Sequence, residues 1–232
     1  MAKNFDLTRE EETIDIIKNN IIPDPNAIKI IKNFNLTICN IENKFELVEK
    51  LRNNGQLEIM DDVLRSQVVF TMSSLDYYMH EIIKYGILSI FKKERSTTKS
   101  YENFTVTLSC VERALLNLES IDWLEEWINL KHRANTFMDP KKIKEAFALI
   151  TKIDIFEKVA TKLSYDGVSL SKSDLSNKMS EIYKRRNSIS HQSDRNEVTG
   201  ILNEIDEEFV KDVIYTIKNF VLYAHDEIVN DI

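Results

Sequence analysis

The segment from Tyr183 to Arg195 (YKRRNSISHQSDR) concentrates the side chains that could do chemistry. At its centre runs Arg186-Asn187-Ser188-Ile189-Ser190-His191. It combines a permanent cation, a dipolar amide and an imidazole that titrates near neutral pH. These three types suit metal-free cleavage of an RNA phosphodiester. His191 can take the proton of a 2′-hydroxyl or protonate the leaving 5′-oxygen. Arg186 can stabilise the charge that builds on a pentacoordinate phosphate, while Asn187 orients the histidine or the phosphate. With the 2′-hydroxyl as nucleophile, DNA is expected to resist. The chain has 9 Arg, 20 Asn and 4 His in 232 residues, so chance supplies such an Arg-Asn-x-x-x-His run roughly 0.013 times per chain.

The elements around this run decide how it can work. At 100° per residue, Leu175, Met179 and Ile189 fall within about 60° of Ile182 on one helical face. Arg186 falls at about 40°, inside that apolar stripe. A guanidinium cannot shed its proton, so burial there demands an anion. That anion is either a carboxylate, with Asp76 of the long preceding helix as the candidate, or a phosphate. His191 has a plain alternative as a cation at a helix C-terminus, and Asn187 as a solvated surface residue. Arg186 and His191 lie about 140° apart around one helix, too far to converge on one phosphate. Two copies of the helix facing each other across a two-fold axis would pool both pairs, which predicts a homodimer with a composite site. Lys184, Arg185 and Arg195 flank the run and are expected to attract RNA phosphates.

Elsewhere the chain reads as helix punctuated by 4 Gly and 3 Pro. Helices are expected over 7–20, in a short stretch that follows a chain break at Pro23 and Pro25 and runs through Phe34, over 40–53, and over 57–91, where Gly86 predicts a close helix contact. A polar loop follows over 94–103, then helices over 106–118 and 121–135, the second carrying Trp123 and Trp127. Asp139-Pro140 marks a helix start. Further helices are expected over 154–163, 174–191 and 206–230, the last with a continuous stripe from Val210 to Ile228. This is an all-α bundle, divided into an N-terminal helical extension over 1–54 and a helical domain over 55–232.

Composition narrows the function classes. Thirty-one basic and 38 acidic residues give a net charge of -7, which argues against a whole-surface nucleic-acid binder and favours a selected single-stranded or looped RNA. No apolar run reaches the ~18 residues of a membrane span, and no secretion signal is evident, so a cytoplasmic protein is expected. Two distant cysteines make neither a disulfide framework nor a metal site. His80-Glu81 lacks a second histidine four residues on, and His132 and His225 have no partners at ligand spacing. No metal and no cofactor are expected.

Arg186-Asn187-Ser188-Ile189-Ser190-His191 resembles the R-N-x-x-x-H signature of HEPN ribonucleases, on the penultimate long helix of a bundle. The helix containing RSQVVFTMSSLDYYMHEII resembles the opening helix of the RiboL-PSP-like branch of that family. The resemblance spans roughly 57–230, with only the six-residue run specific. It implies a HEPN-like bundle and a dimeric, metal-independent endoribonuclease with Arg186, Asn187 and His191 as catalytic residues. It also implies a 2′,3′-cyclic phosphate and a 5′-hydroxyl as products, and a role as a toxin or in defence against phage. The alternative is a non-catalytic interaction or regulatory subunit of a toxin–antitoxin or defence complex. An antitoxin or defence-complex partner is compatible with either reading.

Overall fold

The computed structural model describes residues 24–133, 135–164, 170–196 and 198–231. The helix expected over 7–20 lies outside them. The described residues form an all-α bundle, and their one β feature is an isolated bridge between Arg195 and Leu202.

An N-terminal helix pair, α1 (Pro25–Glu42) and α2 (Phe45–Asn53), leads into the central α3 (Leu57–Phe91). Pro25 starts α1 with its φ preset for helix, and Asp24 caps it by accepting from the Asn26 amide. The expectation that this helix stops near Phe34 is corrected. The buried stripe Ala27, Ile30, Phe34, Ile38 and Ile41 runs on at helical spacing, so polar residues between them do not end it. The chain breaks instead at Asn43–Lys44. Gly55, at φ +70°, supplies the left-handed turn between α2 and α3.

Thirty-five residues make α3 about 52 Å long. It buries apolar side chains on several sides, as a helix at the centre of a bundle must. Against it pack α1, α2, α6 (Asp122–His132), α7 (Pro140–Phe147), α9 (Lys172–Gln192) and α10 (Glu207–Val229). The contact foreseen at Gly86 is with the side chain of Ile150, just beyond α7; a Cβ at 86 would lie 2.6 Å from Ile150 Cβ. The polar 94–103 segment holds one short helix, α4 (Lys99–Glu102), and α5 (Leu108–Leu116) packs on α6. Asp139 caps α7 by accepting from the Lys141 amide, as its sequence predicts. α8 (Ile155–Ser164) packs on α9 and α10. In α10 the whole stripe Val210, Val213, Ile214, Ile217, Val221, Ala224 and Ile228 is buried. Buried Arg95 donates to the Ile228 carbonyl at 2.7 Å and so fixes the last turn of that helix.

Two histidines are built into this core. Tyr78 and His225 approach through the hydroxyl and Nδ1 at 3.3 Å. His132 is buried at the end of α6, with the His80 ring 5.7 Å and the Phe137 ring 5.4 Å away. Burial lowers both His132 and His225 from the ordinary 6.5 to about 4; His80, Lys131 and Lys84 add repulsion at His132. The unfolded chain therefore takes up protons before the folded one as pH falls. Stability is full above about pH 6.5 and is predicted to drop between 6.5 and 4. Denaturant titrations across this range check it, and His132→Phe, which keeps a ring in place, should flatten part of the decline.

Candidate functional site

The site is built on α9, whose start is a capping box: Ser171 Oγ accepts from the Asp174 amide while the Asp174 carboxylate accepts from the Ser171 amide. Leu175, Met179 and Ile182 are buried against the core, as the periodicity requires, and Ile189 is half-buried. That anchoring fixes the rotation of the helix and so the direction of every residue of the run.

The helix ends at Gln192 in a turn that depends on one carboxylate. Ser193 and Asp194 both take left-handed backbone angles, φ +52° and +55°. This is uncommon for residues other than glycine. The Asp194 amide turns back to the Ser188 carbonyl at 2.9 Å. The Asp194 side chain is fully buried, and its Oδ2 accepts from Arg65 Nε and from Arg185 Nη2, each at 2.9 Å. The same arginines reach onward, Arg65 Nη2 to the Asn203 carbonyl at 2.9 Å and Arg185 Nη2 to the Glu204 carbonyl at 2.7 Å. Asn203 closes the circle through its amide and Nδ2, both donating to the Asp194 carbonyl. One buried anion thus ties the end of α9 to α3 and to the approach to α10. A doubly neutralised, hydrogen-bonded carboxylate is the form in which a buried charge is tolerated.

This arrangement redistributes the roles expected from sequence. Arg185, expected to meet RNA, is spent on Asp194. Arg186 has no carboxylate neighbour among the described residues. The pairing with Asp76 is corrected, because Asp76 instead accepts from the Phe137 amide and lies 3.8 Å from His80. Arg186 is half-buried; its Nη1 donates to Asn187 Oδ1 at 3.1 Å, and its Nε is buried without an acceptor among the described residues. The guanidinium therefore keeps donors to spare. Asn187 is half-buried and His191, one turn on, is exposed. The structure brings Arg186 and Asn187 into contact; helical spacing sets His191 about 140° from Arg186 around α9 and one turn beyond Asn187 on the same side. Lys184 is exposed, and Arg195, also exposed, donates to the Gly200 carbonyl at 2.8 Å and steadies the turn after α9.

Sequence does not single out Arg65, and it places Asp194 only within the stretch that follows the run, without this pairing. The signal was available: Arg65 lies beside Leu64 and Val68 on a strongly apolar helix, where it needs an acid, and Asp194 follows two arginines at a helix end. Among the described residues no group of three or more His, Cys, Asp or Glu side chains could hold a metal ion, and no helix is long and apolar enough to cross a membrane.

Asp194→Asn leaves two guanidinium groups facing a neutral amide and should cost about 3–5 kcal/mol, the penalty for breaking a buried pair. Denaturant unfolding measures it; a loss below about 0.5 kcal/mol, the scale of an ordinary surface substitution, would refute the role given to this carboxylate.

Known proteins offer no guide to this geometry: no family model, no curated protein and no solved structure matches the chain.

Proposed function

We propose that the chain is a metal-independent endoribonuclease of HEPN type, acting in the cytoplasm on single-stranded or looped RNA as a toxin or defence effector. The observation that carries this reading is the Arg186 guanidinium, half-buried, hydrogen-bonded to Asn187 and lacking any carboxylate neighbour among the described residues. A cation so placed, one turn from an exposed histidine on a helix fixed at both ends, has the chemistry of a phosphate site.

In the proposed reaction a ribose 2′-hydroxyl attacks the adjacent phosphorus. The O2′–P bond forms, the P–O5′ bond breaks, and the products are a 2′,3′-cyclic phosphate and a 5′-hydroxyl. His191 supplies the proton transfer, taking the 2′-hydroxyl proton or delivering one to the leaving oxygen. Arg186, steadied by Asn187, stabilises the charge on the phosphorane. Lys184 and Arg195 guide the backbone inward. Within one chain His191 does not meet Arg186. The reading therefore includes a homodimer in which two α9 helices face each other and one copy's histidine serves the phosphate held by the other's arginine. Exposed Val198, Ile201 and Leu202, just beyond the run, offer apolar surface for that association.

The second reading, a non-catalytic interaction or regulatory subunit of a toxin–antitoxin or defence complex, is favoured by the same separation of His191 from Arg186 within the chain. Cleavage of a mixed RNA pool by the purified protein in EDTA distinguishes the two. The enzyme reading predicts cleavage by the wild type and a loss of about 10²–10⁴-fold in His191→Ala with an unchanged melting temperature. RNA left intact by both proteins would contradict it.

A further inference from the structure

The α5–α6 hairpin presents apolar residues outward. On α5, Leu108, Val111 and Leu115 recur at i, i+3 and i+7 and share one face. That is the spacing of core positions, yet Leu108 is 74% exposed and Leu115 68%. Leu116 and Leu118, 86% and 81% exposed, widen the face at its C-terminal end. The helix is held in this orientation from its inner side. Cys110 is buried and Ala114 half-buried there, and Arg113 pairs with Glu126 of α6. Rotating α5 to hide the leucines would expose Cys110 and break that pair. Exposed leucines gathered on and just beyond one short helix are the kind of apolar surface that marks an interaction site.

Charge selects the occupant. Glu112 lies about 40° from Leu108, within the leucine face rather than beside it. Exposed Glu119 and Asp122 border its C-terminal end. None of these three carboxylates is paired with a cation among the described residues. A second copy docked antiparallel would set Leu108 against Leu115, but would also bring two Glu112 carboxylates together inside the apolar contact. An apolar helix with a cation opposite Glu112 has no such conflict. We infer that the outer face of α5 docks an amphipathic helix of a separate protein, one carrying apolar residues at i, i+3 and i+7 with lysine or arginine beside them. The surface is distinct from the proposed nuclease site on α9 and does not depend on it.

The test uses the full chain and fluorescein-labelled peptides of about eighteen residues, five helical turns. One is an amphipathic Leu/Lys helix, one a scrambled peptide of the same composition without an apolar face, and one the Leu/Glu counterpart of the first. Fluorescence anisotropy should show the Leu/Lys helix binding at least about tenfold more tightly than either control. Leu108→Ser with Leu115→Ser should weaken it by about tenfold or more. Glu112→Lys should shift the preference toward the Leu/Glu peptide, which general attraction to an acidic protein cannot do. All three side chains face solvent, so the variants should melt as the wild type does. Equal binding of the scrambled peptide, unchanged binding by the double-serine variant, or no binding at all would overturn the inference. So would sedimentation showing wild-type self-association abolished by the two serines, since a second copy would then be the occupant.

Discussion

A buried carboxylate shared by two guanidinium groups is the constraint on which the candidate site depends. The last turn of α9 leads into two successive left-handed residues, neither of them glycine. Such a turn is stable only where the surroundings over-determine it. Asp194 does this by accepting from Arg65 and Arg185 while its backbone bonds to Ser188 and Asn203. The cost of burying Asp194 and Arg65 and half-burying Arg185 is set against attraction at hydrogen-bonding distance and further bonds to two backbone carbonyls. The effect is positional. Arg186, Asn187 and His191 project from a helix whose rotation is set by Leu175, Met179 and Ile182 and whose end is tied to α3 through Asp194.

The same interaction sorts the positive charges around the run. Four cations close in sequence, Lys184, Arg185, Arg186 and Arg195, read as one basic patch. In the fold Arg185 is paired with Asp194, Arg195 keeps its charge while donating to the Gly200 carbonyl, and Arg186, Lys184 and Arg195 are the cations of the run without a carboxylate partner among the described residues. The anion site we propose, on a protein of net charge -7, then rests on few residues. That favours a substrate chosen by shape or presentation over indiscriminate binding to nucleic acid.

Much of the fold was legible because the residues that make it act locally. Asp139-Pro140 starts a helix by filling free amide positions, and the stripes of α9 and α10 point to the core at the expected spacing. What sequence left hidden depends on distant partners. Arg65 and Asp194 are 129 positions apart, and no local pattern joins them. Sequence places a helix over 106–118 but cannot show that its leucines face outward, since that is fixed by what α6 offers to its inner side. His80 and His132, unremarkable singly, meet because α6 packs along α3. At the candidate site the residue types were readable, while the contact of Arg186 with Asn187 rather than with Asp76 was not.

The most direct test of the proposed chemistry is cleavage, in EDTA, of a defined RNA oligonucleotide beside the same oligonucleotide with one 2′-deoxy residue at the scissile position. The account predicts that the all-ribose strand is cut to a 2′,3′-cyclic phosphate and a 5′-hydroxyl, and that the 2′-deoxy position is not cut. Cleavage at the 2′-deoxy position, or a product bearing a 5′-phosphate, would contradict it.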